Sequence, residues 1–97
     1  AYPAVHRDVA LRVPAGVSHA QLMAAMRGDA PADDLLTDIT LFDVYHSERF
    51  APGERSMAYR LTFQSFDKTL TEDVVKQRLT LVSQQLQQTL GIDCPTG

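Results

Sequence analysis

The side chains of this sequence that could do covalent or metal chemistry are few and scattered. His6, His19 and His46 have no ligand spacing with one another or with Cys94, whereas structural zinc needs four converging donors. No serine sits in the strained turn of an activated nucleophile, and Cys94 reads as a small, half-buried strand residue. A phosphate cradle needs clustered glycines and a basic residue at a helix entrance. Pro14-Ala15-Gly16-Val17 offers one glycine and neither lysine nor arginine. Asp29, Asp33 and Asp34 lack the glycine-punctuated alternation of a calcium loop and read as a solvated connection. Gln84, Gln85, Gln87 and Gln88 read as an uncharged solvent face. What is left is the chemistry of recognition.

Tyr45 and Asp43 stand two residues apart in Leu41-Phe42-Asp43-Val44-Tyr45-His46, and on a strand that spacing puts both on one face. Across a hairpin, Ser56, Ala58 and Arg60 alternate onto the same face, and an earlier strand adds Ala10 and Arg12. Small residues around an aromatic leave its ring accessible, while hydroxyl, carboxylate and guanidinium groups can meet a base edge. Single-stranded RNA is commonly bound in this way, each stacked base contributing roughly 1–3 kcal/mol. In the competing reading Tyr45 only covers the sheet, with its hydroxyl in water. The pattern by itself leaves both open.

These side chains need a sheet to hold them. Three stretches alternate as strands: about 6–13, with Val9, Leu11 and Val13 on one face; about 35–46; and about 55–65, with Met57, Tyr59, Leu61 and Phe63 on one face. In the second, Phe42 and Val44 share the core face, and Leu41, Asp43 and Tyr45 share the other. Ser18-His19-Ala20-Gln21 has the form of a capping box ahead of Leu22, Met23 and Met26. Thr71 is a good N-cap, with Glu72 and Asp73 suited to the positive helix end. Val75, Leu79, Val82, Leu86 and Leu90 then form a helical stripe that stops at Gly91. Pro52-Gly53 marks the turn between the second and third strands, and a short last strand is expected around 92–94. The expected fold is α+β: a ferredoxin-like βαββαβ arrangement with a four-stranded antiparallel sheet and two helices on one face. Small acylphosphatases share that fold but need an arginine in the first loop and an asparagine nearby; this chain has no asparagine.

At 97 residues, 44% of them hydrophobic and 22% charged, one domain spanning 1–97 is expected. No apolar run approaches a membrane span, and the single cysteine fits a reducing, cytoplasmic setting. The start at Ala1-Tyr2-Pro3, without a signal-peptide pattern, leads us to expect a piece of a longer protein. The net charge of −3 excludes indiscriminate nucleic-acid binding and points to a local patch of weak affinity.

Four blocks of the chain resemble a known family: Tyr2-Pro3-Ala4-Val5-His6-Arg7-Asp8-Val9-Ala10-Leu11, Leu41-Phe42-Asp43-Val44-Tyr45, Arg55-Ser56-Met57-Ala58-Tyr59-Arg60-Leu61 and Asp67-Lys68-Thr69-Leu70-Thr71. In order and spacing they look like the ferredoxin-fold anticodon-binding domain at the C-terminal end of the bacterial-type phenylalanyl-tRNA synthetase β chain. The resemblance implies a non-catalytic module that grips the anticodon stem-loop of phenylalanine tRNA. Catalysis would lie with the remaining β-chain domains and the α chain, which use ATP and magnesium; no cofactor is implied for this domain. It assigns contacts with the first anticodon base to the positions of Asp43, Tyr45 and Ser56. Arg12, Arg49, Arg55 and Arg60 are candidates for phosphate contacts from charge and position alone. The tail Gly91-Ile92-Asp93-Cys94-Pro95-Thr96-Gly97 departs from the family, which carries a basic residue soon after this Leu-Gly. An alternative on the same fold is a protein-interaction or small-molecule sensing domain that pairs sheets edge to edge.

Overall fold

Alternation dictates the first element. β1 (Val5–Val13) turns Val9, Leu11 and Val13 into the core and leaves His6, Asp8, Ala10 and Arg12 outside. A computed structural model describes residues 2–95. Ala1, Thr96 and Gly97, the ends of the expected domain, lie outside the described residues. After β1 come α1 (His19–Arg27), β2 (Leu36–Tyr45), β3 (Arg55–Phe63) and α2 (Glu72–Leu90).

Both helices begin where their caps dictate. At α1 the Gln21 N–H donates to Ser18 Oγ at 3.1 Å and the Ser18 N–H to Gln21 Oε1 at 2.8 Å, closing the capping box. At α2 the Val74 N–H donates to Thr71 Oγ1, with Glu72 and Asp73 in the first turn. Gly91, at φ 64°, ends α2 in the left-handed conformation, and its N–H returns to the α2 carbonyls.

The sheet has the order β1-β3-β2, with β3 central and antiparallel to both neighbours. Met57, Tyr59, Leu61 and Phe63 of β3 face the helices and are buried with Leu22 and Met26 of α1 and Val75, Val82 and Leu86 of α2. Full burial of side chains of this size contributes about 1.5–3 kcal/mol each. The Tyr59 hydroxyl is hydrogen-bonded to His19 Nδ1 at 2.8 Å, which fastens α1 to the central strand. The opposite face of the sheet is uncovered among the described residues.

Two expectations need correction. The sheet has three strands rather than four: 92–94 forms no ladder among the described residues. Its backbone groups are taken up by α2 instead, the Ile92 N–H donating to Leu86 O and the Ser83 hydroxyl to Cys94 O. Ile92 and Cys94 still enter the core, so their alternation served burial without a strand.

The second correction concerns Phe42. Leu41 pairs with Tyr59 and Asp43 with Ala58, so Phe42 is an extra residue in a β-bulge. Leu41, expected on the open face, lies on the helix side and packs against the core. Phe42, expected in the core, is 51% exposed. A second irregularity lies between Leu36 and Asp38. No helix is long and apolar enough to cross a membrane among the described residues.

Candidate functional site

The open face is built in rows. Arg12 pairs with Ser56 and Ser56 with Tyr45; one row further, Ala10 pairs with Ala58 and Ala58 with Asp43. The next row is Asp8, Arg60 and Thr40. Cβ atoms of directly opposed residues lie about 4.5–5.5 Å apart, so each row is one contiguous patch. Tyr45, 59% exposed, thus stands beside the Ser56 hydroxyl with the Asp43 carboxylate one row away. The alanine pair between the rows leaves a shallow floor.

The Tyr45 ring does not stand alone. Phe50, half-buried in the β2–β3 loop, meets it edge-on, with centroids 6.2 Å apart at an interplanar angle of 85°. The Arg12 guanidinium lies over Phe50 at 4.6 Å and donates to Glu54 Oε1 at 2.8 Å. Glu54 also accepts from the Ala51 N–H, so the loop is tied back to the strand that carries Arg12. Gly53 closes the loop at φ 78°, where a Cβ would come within 2.5 Å of the Ala15 Cβ. A side chain there would push the loop off the β1–α1 turn.

At the other end of the face, Arg60 grips Asp8 with two bonds of 2.9 and 3.1 Å and lies 5.4 Å from the centre of the Phe42 ring. The Arg60 hydrogen bonds hold the Asp8 carboxyl below its usual range, and Arg12 followed by the Ala51 N–H does the same for Glu54. Both carboxylates are charged at neutral pH. Two of the arginines expected to meet phosphate therefore already hold internal partners.

Of the residues singled out from the sequence, the structure brings Asp43, Tyr45, Ser56, Arg12 and Arg60 onto one face. Arg49 is exposed in the β2–β3 loop, its N–H bonded to Ser47 Oγ. Arg55 is placed elsewhere. It pairs with Val13 on the helix side, and its guanidinium donates to Pro14 O at 2.8 Å and Val17 O at 2.6 Å. It braces the β1–α1 turn. Sequence reasoning assigned Phe42 to the core and passed over Phe50; an aromatic inside the Pro52-Gly53 turn loop was the available signal for the second.

A cleft of about 660 Å³ opens between the α1–β2 and β3–α2 loops, at the opposite end of the β2–β3 hairpin from Tyr45. Three of its charged groups are engaged in the fold: Arg27 donates to Leu36 O, Asp34 accepts from Arg78 and Asp67 accepts from the Ser65 hydroxyl. Among the described residues no three His, Cys, Asp or Glu side chains converge on a metal position. Cys94 is buried, and burial, with the Asp93 charge adding to it, pushes its thiol up to about 11. It is a thiol, not a thiolate, at neutral pH.

The family model described as ferredoxin-fold anticodon binding domain matches residues 1–94 of the chain. The phenylalanine–tRNA ligase beta subunit of Lactococcus lactis subsp. lactis is 34% identical over 90 residues, 93% of this chain and 11% of that protein. The beta subunit of the same ligase in Streptococcus pneumoniae is 38% identical over 92 residues, 95% of this chain and 11% of the relative. That of Streptomyces avermitilis is 47% identical over 70 residues, 72% of this chain and 8% of the relative. The chain spans about a tenth of the length of these curated relatives.

Proposed function

The chain belongs to the family of ferredoxin-fold anticodon-binding domains, and from that premise we propose that its open sheet face binds the anticodon stem-loop of phenylalanine tRNA. Tyr45 stacks on the first anticodon base, and Asp43 and Ser56 meet that base's edge. Arg12, Arg60 and the loop residue Arg49 meet the phosphates. One observation carries the reading: Tyr45 and Ser56 are direct cross-strand partners, with Asp43 in the adjacent row on the same face. An aromatic platform, an acceptor for base N–H groups and a hydroxyl thus lie within the span of one nucleotide.

The relatives' names extend the reading to a parent. The chain acts as a tRNA-gripping portion of a phenylalanine–tRNA ligase β subunit, beside the other β-chain domains and an α chain. ATP and magnesium belong to catalysis in those other parts. No step here runs through them.

Titration of the chain with the phenylalanine anticodon stem-loop RNA, followed by fluorescence anisotropy, tests the site. Tyr45→Ala should weaken binding by roughly 5- to 150-fold, the equivalent of one stacked base. Asp43→Ala should remove the preference for the natural first anticodon base over its variants. Unchanged affinity in Tyr45→Ala sinks the stacking role. One observation favours the alternative of sheet-edge pairing: β1 and β2 both lie at sheet edges among the described residues. A stable dimer by light scattering, with no RNA binding, would support it instead.

A further inference from the structure

We propose that Phe42 is a second stacking station, carrying the base next to the one on Tyr45, so that the open face takes two successive unpaired bases on either side of Asp43. The inference rests on the RNA reading above and adds a nucleotide to it.

The bulge is what puts the ring there. In register with Asp43 and Tyr45, Phe42 would face the helices; instead the ladder skips it, and two consecutive residues, Phe42 and Asp43, serve the open face. Phe42 takes no part in the buried core and leaves half of its surface to solvent. Its other neighbour is a fixed cation. Arg60 lies over the ring at 5.4 Å, and two bonds to Asp8, through Nε and Nη2, set the plane of the guanidinium. Nη1 of Arg60 has no hydrogen-bond partner among the described residues, which leaves its donors for a base acceptor or a phosphate. Ring and guanidinium together form the platform that unpaired bases stack on.

The spacing fits two bases. Phe42 and Asp43 share the position opposite Ala58 and Tyr45 stands opposite Ser56, so along the sheet Phe42 and Tyr45 are two residues apart, about 7 Å at about 3.4 Å per residue. At about 3.4 Å per base layer, that separation leaves each ring a face for its own base, the two bases being successive in the strand. Ala10 and Ala58 keep the floor between them low, and Asp43 stands in the middle, within reach of both base edges.

The test uses this chain with the intact phenylalanine anticodon stem-loop RNA and with abasic versions of it. One version lacks the first anticodon base, and two others lack one or the other of its flanking bases. Phe42→Ala should lose roughly 5- to 150-fold in affinity for the intact RNA. It should lie within about twofold of the unaltered chain on one of the two flank-abasic RNAs, where there is no base left to stack. Phe42→Trp, which keeps a ring, should bind like the unaltered chain. If Tyr45→Ala weakens binding and Phe42→Ala does not, this inference fails and the RNA reading stands. If neither variant weakens binding, both fail. A Phe42→Ala loss that persists equally on both flank-abasic RNAs would also overturn it, because the ring would then only be supporting the surface.

Discussion

Arg78 reaches from α2 to Asp34 through two contacts of 2.8 Å, and their side chains are only 10% and 11% exposed. A buried pair like this adds little over a well-packed apolar pair, but losing one partner strands the other charge. Arg78→Leu should therefore destabilise the domain by about 3–5 kcal/mol in urea unfolding. Burial pushes the Asp34 carboxyl up, but the hydrogen bonds from Arg78 and the Leu36 N–H, aided by the charges of Arg78 and Arg27, hold it below its ordinary 3.8. A carboxyl lowered by folding contributes stability that is intact above that ordinary value and is lost as the pH falls through the lower folded value. Asp34→Asn should flatten the acid limb of stability below about pH 4. The other arginines show how one residue type divides by parity. Arg55 alternates with Met57 and Tyr59, so its helix side was legible in the sequence; its engagement with two loop carbonyls was not. Asp43, Tyr45 and Ser56 were legible as a group because each obeys its strand's alternation.

At the scale of elements, strict alternation made β1 and β3 legible, and capping residues did the same for both helix starts. β2 broke the rule because a bulge leaves little trace in a pattern of residue types. With Leu41 and Phe42 adjacent and both apolar, one must point out, and nothing in their chemistry says which. The ladder decides, by pairing Leu41 with the buried Tyr59. A similar ambiguity lay behind the expected fourth strand, which did not form: Ile92 and Cys94 alternate as a strand would, yet the Ile92 N–H and the Cys94 carbonyl bond to α2. The bulge makes its own prediction. Removing Phe42 from the chain leaves Leu41 opposite Tyr59 and Asp43 opposite Ala58, so a cooperative thermal transition should survive at a cost of about 1 kcal/mol. Removing Val44 instead turns Tyr45 toward the helices opposite Met57, and should cost more than about 2 kcal/mol.

The molecule as a whole has one face sealed by two helices and one left bare, with a net charge of −3. For an acidic protein to bind RNA, as proposed, its attraction has to be concentrated, and here two open-face arginines hold Glu54 and Asp8. That pairing has a thermodynamic consequence. A bare arginine that meets a phosphate sets free the cation condensed there, and binding to a single strand weakens with salt by about 0.7 in logarithmic slope for each such contact. Arg12 and Arg60 come to a phosphate already paired with a carboxylate, and Arg60 Nη1 can donate while Asp8 stays bound, so each pair brings little net charge to the phosphate. Such a pair displaces less of the condensed cation than a bare arginine would. Affinity plotted against salt should therefore fall less steeply than the arginine count implies, and Asp8→Asn should both tighten binding and steepen the line by up to about 0.7. Two acidic residues that touch no RNA would thus make the grip of this face less sensitive to the ionic strength around it.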